Sequence, residues 1–306
     1  MTRVPILAEG MDCAMKCSVG IMRITKILPF RFLYRLSDAS GALLYCMAWK
    51  RTKRIKSNLA KCFPEKTDKE LSKLTRQFFT NMNDFAYEIA KSAYFSDEEF
   101  LSRCHIVNKD FIADILKENK KVLCYSGHFI NYEWLVSFPL HIPGVLMGHL
   151  YHSGRTNPLM EWLKKSRQKF GAVNIPHIYP MKPIMSLFKE LDEKERDGVI
   201  IGTLADIAPS RNILKTVHQS PFFGHTLSVY SGSERIGRYL NMTFVYAHIN
   251  RTERGYYSIE FKKLEPNDID TNPCAYTDEF VRCLEQNIRE QPDLWMLWAD
   301  RKMDIA

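Results

Sequence analysis

The sequence predicts an α/β fold, a mixed central sheet flanked by helices, preceded by a helical segment that contacts a membrane. Three observations carry that prediction. Val122 to Tyr125 and Val199 to Ile201 are short uninterrupted apolar runs, the pattern of buried strands. Phe244 to His248 and Tyr256 to Phe261 alternate in polarity and are joined across Asn250 to Gly255, as two neighbouring strands. Between and before these runs lie stretches with helical apolar spacing, and ahead of them all lies an apolar region laced with arginine and lysine. At 306 residues the chain is long enough to bury a large core. We divide it into a membrane-associating helical segment, residues 1–56, and a larger domain, residues 57–306.

Taken in order, Ile21 to Trp49 is rich in Ile, Leu, Phe, Tyr and Met but is interrupted by Arg23, Lys26, Arg31, Arg35 and Asp38. A basic cluster follows at Lys50, Arg51, Lys53, Arg54 and Lys56. Such a mixture suits a helix lying in a membrane interface, with the cluster on an anionic leaflet; an ordinary core helix followed by a solvated turn reads almost as well. Ser57 to Glu65 closes a helix before Pro64. Thr67 with Glu70 forms a capping box for a helix near Asp68 to Tyr94. Ser96 caps a short helix near Asp97 to Arg103. His105 to Asn108 reads as a strand and Phe111 to Glu118 as a helix.

Beyond Tyr125, Gly144 to Leu150 reads as a strand. Asn157-Pro158 opens a helix that Gly171 closes. Val173 to Ile175 is a strand and Pro183 to Arg196 a helix. Pro221-Phe222-Phe223-Gly224 reads as an apolar loop before a helix near Val229 to Leu240, and Asp278 to Arg289 as a terminal helix. The uncharged stretch Trp134 to Gly154 holds two prolines, three glycines and three histidines, which argues against a continuous spanning helix.

The net charge of +8 tilts toward anionic partners such as anionic lipid or an acidic carrier protein. No basic tract with interleaved aromatics and no nucleic-acid module is present, so nucleic acid is not expected as a partner. None of the eight cysteines forms C-x-x-C, and no signal peptide is evident, so reduced thiols facing the cytoplasm are expected. His149 and His152 have no matching carboxylate motif, and no metal is expected.

The stretch richest in chemistry is Lys120 to Trp134, K-K-V-L-C-Y-S-G-H-F-I-N-Y-E-W. It places His128 at the end of a buried strand, with Glu133 five residues on. On one regular helix that spacing sweeps about 500°, so the two would not share a face. They meet if His128 lies in the turn and Glu133 in the first helical turn, with Asn131 as a candidate cap. Glu133 would then fix the imidazole tautomer and leave the other nitrogen basic, the kit for general base catalysis. A surface histidine beside a solvated glutamate has the same spacing. Asp206 stands just after the Val199 to Ile201 run; it shares a rim with His128 if the two strands are parallel neighbours, and otherwise is a turn residue ahead of Pro209.

Several motifs in fixed order resemble one family. They are N-L-x-x-C-F-P-E at Asn58 to Glu65, G-H-F-x-N-x-E at Gly127 to Glu133, N-P-L at Asn157, R-x-x-x-G at Arg167 to Gly171, the Asp206 turn, P-F-F-G at Pro221 to Gly224, and P-x-x-W-x-x-W near the C-terminus. The chain resembles the late acyltransferases of lipid A biosynthesis, the lauroyl and myristoyl transferase group within the wider H-x-x-x-x-D/E acyltransferases, whose fold is like that of the glycerolipid acyltransferases. The resemblance implies acyl transfer from an acyl carrier protein or coenzyme A thioester to a lipid hydroxyl, at the cytoplasmic face of the bacterial inner membrane, by a monotopic or peripheral enzyme without a cofactor. His128 would be the general base and Glu133 its orienting partner, with direct attack by the acceptor and no covalent intermediate. Asp206 would support His128 or bind the acceptor. Asn131, Arg155, Asn157 and Arg167 are candidates for the thioester or acceptor phosphates, and Phe222 and Phe223 for an acyl groove. The chain departs from the family pattern at Asp206-Ile207, where Asp-Gln is usual, and at Ala299-Asp300-Arg301. The alternatives are the same chemistry on an aminolipid or glycolipid acceptor, or a catalytically silent membrane-binding relative. A serine hydrolase would need a G-x-S-x-G elbow, which is missing.

Overall fold

The computed structural model describes residues 25, 27–151, 167–176, 179–207 and 217–300. Helices α1 (Phe30–Met47), α2 (Trp49–Cys62) and α3 (Asp68–Ser92) come first, then α4 (Asp97–Arg103), strand β1 (Cys104–Ile106), α5 (Lys109–Glu118) and β2 (Lys121–Ser126). A 3-10 helix (Tyr132–Ser137), the short α6 (Phe138–His141), β3 (Val145–Tyr151), β4 (Val173–Pro176), α7 (Met181–Glu193) and β5 (Gly198–Leu204) follow. The last part comprises β6 (Val217–Phe222), β7 (His225–Tyr230), α8 (Gly232–Tyr239), β8 (Thr243–Glu253), β9 (Tyr256–Lys263) and α9 (Ala275–Glu290), then two 3-10 turns, Pro292–Leu294 and Met296–Ala299.

Among the described residues seven strands form one sheet in the order β1-β9-β8-β2-β5-β3-β4. Its centre is parallel and the β8–β9 pair antiparallel, so the sheet is mixed as predicted. The two uninterrupted apolar runs occupy adjacent central positions, where Val122, Leu123, Val199, Ile200 and Ile201 are all essentially inaccessible to water. The Thr67–Glu70 capping box closes as expected, the Thr67 hydroxyl accepting from the Glu70 N–H and the Glu70 carboxylate accepting from the Thr67 N–H at 2.8 Å.

One element differs from the sequence reading. Pro221-Phe222-Phe223-Gly224 is not an apolar loop before a helix; it is the turn of the β6–β7 hairpin, with Phe222 registered opposite His225. Phe223 and Gly224 both take positive φ, 50° and 71°, as a two-residue hairpin turn of right-handed twist demands. Phe223 is held there by its N–H, which donates to Glu285 Oε2 at 2.6 Å, and by edge-on packing with Phe63. The helix that follows starts only at Gly232.

Helix α1 lies across α3 at close range: a Cβ on Gly41 would stand 2.9 Å from the Thr80 Cα. Its packed face is made of Leu33, Ser37 and Gly41, whereas Phe32, Leu36, Leu43, Leu44 and Met47 are exposed. No helix among the described residues is long and apolar enough to cross a membrane. Residues 1–24 and Lys26 of the N-terminal segment lie outside the described residues, and α2 runs without a break through residue 56.

Candidate active site

The site forms where β2 and β5 end. The strands pair in parallel with Ser126 opposite Leu204. His128 and Asp206 each stand two residues beyond that last pair, so equal rise per residue carries both to the same point on the sheet rim. The conditional expectation of a shared rim is therefore met. His128 Nδ1 lies 2.6 Å from Asp206 Oδ1, and the His128 backbone N–H donates to Asp206 Oδ2 at 2.8 Å. Two side-by-side contacts to one carboxylate fix both the ring and the backbone that carries it. Gly127 makes the approach possible, because a Cβ there would sit 2.4 Å from Leu284 Cδ1 and 3.2 Å from Asp206 Oδ2.

Asp206 is fully buried. Burial opposes its ionisation, yet the facing His128, the Trp295 hydrogen bond and the His128 N–H together hold its pKa below the ordinary carboxylate value. The Trp295 indole N–H donates to Oδ2 at 2.9 Å, a third donor on one carboxylate. With Asp206 on Nδ1, the ring keeps its proton there and leaves Nε2 as the basic nitrogen. Among the described residues Nε2 makes no hydrogen bond.

Glu133 does not touch the imidazole, in contrast to the sequence expectation. Its carboxylate takes a two-pronged contact from Arg167, Nε to Oε2 at 2.8 Å and Nη2 to Oε1 at 2.5 Å. The reason lies in local geometry. The chain after His128 turns into a 3-10 helix, and this carries Glu133 away from the ring and onto Arg167. Hydrogen bonding and charge from Glu133 raise the Arg167 pKa against the opposing cost of burial. Nε and Nη2 of Arg167 are thus committed to Glu133, while Nη1 faces His149 Nε2 at 3.4 Å. Asn131 does not cap the 3-10 helix with its side chain. Instead its amide donates to Glu88 at 3.2 Å. Arg155 and Asn157 lie outside the described residues.

A cavity of about 380 Å³ opens beside His128, Glu133 and Arg167. Its walls are mostly apolar: Leu135, Val136, Phe138, Met147, Ile200 and Phe261 are among them. Phe222 and Phe223 are not. Phe222 packs on Trp295 with ring centroids 5.6 Å apart, and Phe223 stacks under Arg289. Phe222 braces the tryptophan that holds Asp206, Phe223 packs edge-on against Phe222, and neither lines this cavity.

The C-terminal motif P-x-x-W-x-x-W thereby acquires a physical meaning. Phe129 pairs with Trp295 as an isolated antiparallel bridge, the Ile130 N–H donates to the Leu294 carbonyl at 3.2 Å, and the Met296 N–H donates to the His128 carbonyl at 2.9 Å. Asn58 on α2 in turn donates to the Trp298 carbonyl at 2.8 Å. No local sequence signal announces Trp295 as a site residue; only its place in the ordered motif set points to it.

A family model described as bacterial lipid A biosynthesis acyltransferase matches residues 13–302. The chain belongs to that family. Among its lipid A acyltransferase relatives, it is 24% identical over 147 residues to a lipid A biosynthesis lauroyltransferase of Escherichia coli strain K12, covering 48% of this chain and 47% of the relative. It is 26% identical over 172 residues to a lipid A biosynthesis acyltransferase of Haemophilus influenzae, covering 55% and 52%. It is 28% identical over 157 residues to lipid A biosynthesis acyltransferase 2 of Shigella flexneri, covering 50% and 48%. The matched stretches thus span about half the length of these curated relatives. Within the lipid A acyltransferase family pattern, the histidine of G-H-F-x-N-x-E and the carboxylate of the Asp206 turn are the pair that this fold brings into contact.

Proposed function

We propose that this chain is an O-acyltransferase that moves a fatty acyl chain from an acyl carrier protein or coenzyme A thioester to a hydroxyl of a lipid A precursor. The observation that carries the reading is the His128–Asp206 pair at the mouth of an apolar cavity, in a chain of this family. His128 Nε2 takes the proton of the acceptor hydroxyl as its oxygen attacks the thioester carbonyl. The new C–O bond forms, the C–S bond breaks, and the imidazolium returns its proton to the departing thiolate. Asp206 stabilises the imidazolium through that cycle. The acyl chain occupies the apolar cavity, whose volume falls in the usual range for small-molecule sites. Neither a nucleophilic side chain of the protein nor a cofactor enters this scheme.

The acceptor is a membrane lipid, and α1 supports a peripheral position on an anionic leaflet. Its exposed side carries five large apolar side chains, Phe32, Leu36, Leu43, Leu44 and Met47, where an ordinary surface helix is polar. Arg31, Arg35, Lys50, Arg51 and Lys53 are exposed around it. This combination suits burial of Phe32, Leu36 and Leu43 among acyl chains with the cations at the headgroups.

The test is an assay of detergent-solubilised protein with labelled acyl carrier thioester and a lipid A precursor, wild type beside His128→Ala. Transfer by wild type and a loss on the order of 100-fold or more in the variant is the expected result. Acylation of an aminolipid or glycolipid in place of the precursor would replace the acceptor. Full activity in His128→Ala would overturn the assignment of the base.

A further inference from the structure

Under the loop between His128 and Glu133 lies a buried acid that the mechanism above does not use. Glu88, on α3, is completely inaccessible to water. Three neutral donors converge on it from three different parts of the fold. The Tyr34 hydroxyl of α1 donates to Oε1 at 3.0 Å. The Tyr257 hydroxyl of β9 donates to Oε2 at 2.7 Å, and the Asn131 amide donates to Oε2 at 3.2 Å. The neighbouring cation, Arg254, is spent on Asp84 and Asp38. Burial, set against the donors Tyr257, Asn131 and Tyr34 and reinforced by Asp84, pushes the Glu88 carboxyl up to about 7.

Asn131 stands three residues after His128 and two before Glu133, so it occupies the bend that separates the two site side chains. Its own side chain is buried, and Oδ1 has no hydrogen-bond partner. Among the described residues the contact to Glu88 is the one hydrogen bond the Asn131 side chain makes, and it ties the middle of this bend to the scaffold beside the Ile130 backbone bond to Leu294. Leaving Oδ1 unpaired in a buried place is costly, and a cost of that kind is tolerated where the geometry of a site depends on it. A carboxylate is the stronger anchor for the amide, because hydrogen bonds to an ionised group are roughly twice as strong as neutral ones.

We propose that Glu88 is a positioning residue for the active-site loop: through Asn131 it fixes the bend that aims His128 at the cavity and Glu133 at Arg167. Glu88 touches neither substrate nor the reacting atoms. It joins α1, α3, β9 and the loop at one point, so the loop inherits the rigidity of the scaffold.

The kinetic part of the test rests on the acyl-transfer reading; the structural part does not. Glu88→Gln, Asn131→Ala and the double variant are compared with wild type by acyl-transfer kinetics, thermal unfolding and peptide-resolved hydrogen exchange over residues 127–137. Each single variant is expected to lose roughly 10- to 100-fold in kcat with KM changed less than about 3-fold. The double variant is expected to be no worse than about 3-fold below the weaker single, since two residues acting through one contact are not additive. Exchange across 127–137 is expected to speed up in all three, while the core peptides keep their protection. Additive losses in the double variant would overturn the proposal, as would loop exchange that stays at the wild-type rate. If wild type transfers no acyl group, the acyl-transfer reading fails on its own, and the exchange data still decide whether Glu88 holds the loop.

Discussion

Replacing Asp206 with Asn is the most direct challenge to the site as described. The carboxylate accepts from the His128 ring, the His128 backbone and the Trp295 indole, at 2.6, 2.8 and 2.9 Å. An asparagine has one oxygen, so its NH2 group must face at least one of those N–H donors. During reaction the ring becomes an imidazolium, with charge centres on the order of 4 Å from the carboxylate, worth about 4 kcal/mol at an effective dielectric near 20. Converted at 1.36 kcal/mol per factor of ten, this is a loss of roughly 10³-fold in kcat. The assay is acyl transfer at saturating thioester, with thermal unfolding measured in parallel to separate rate from stability. The loss should not be recovered at higher pH, because the missing charge, not the protonation state of the free ring, causes it. An Asp206→Asn protein within about ten-fold of wild type, or one whose rate recovers fully at pH 9, would refute the assignment of Asp206 as the partner of His128.

The other expectations follow from neighbouring contacts. Trp295→Phe removes one donor from Asp206 while keeping most of the packing against Phe222 and Trp298; a rate loss of about 10-fold, with little change in KM, is expected in the same assay, in line with about 1.5 kcal/mol for a hydrogen bond to a charged group. Glu133→Ala strands the half-buried Arg167 charge and should destabilise the fold by about 3–5 kcal/mol, read from denaturant unfolding; the double replacement Glu133→Met with Arg167→Met should recover most of that. Stability between pH 7 and pH 5 is set by opposing titrations. Burial, with nearby cations, lowers His141 and His149 to about 4 in the folded protein, so the unfolded chain takes up their protons first and stability falls as pH drops below about 6.5, by about 2 kcal/mol per ring at pH 5. Glu88 has the opposite sign: raised to about 7, it is protonated in the folded state before the unfolded one and returns about 2 kcal/mol over the same interval. His248, lowered by burial, adds to the loss, and Glu88→Gln, which lacks the compensating proton, should lose about 2 kcal/mol more than wild type over this interval; equal slopes for the two proteins would contradict the buried ionisations.

The sheet was legible where its strands are buried on both faces. Val122 to Tyr125 and Val199 to Ile201 have no polar interruption, so each could only be a central strand or a buried helix, and their short length decides between them. The β6–β7 hairpin was not legible, since Pro221 and two phenylalanines at the turn hide the alternation on either side, and the Phe223 conformation depends on Glu285, far along the chain. In the site, His128 declared itself by position, at the end of a buried strand. Its partner was legible only conditionally: Glu133 is close in sequence, whereas Asp206 is close only because β2 and β5 are parallel neighbours in register, which the sequence could state as a condition but not decide. Phe222 and Phe223 were legible as an apolar pair but not as the packing beside Trp295, because such a pair looks the same in sequence whether it meets a lipid chain or a tryptophan. Glu88 carried no signal at all, since an acid on a long amphipathic helix reads as a solvated face until the fold buries it.

The bridge between Phe129 and Trp295 sets an order on how the protein comes into being. Translation is vectorial, and the described strands, together with both His128 and Asp206, are all synthesised before residues 294–296. Until those residues arrive, Asp206 lacks its tryptophan donor, and the carbonyl of His128 and the N–H of Ile130 lack their backbone partners. A nascent chain with most of its sheet in place therefore holds an unfinished site. Clipping by a protease just before Trp295 would return a mature molecule to that state, with the sheet strands left uncut.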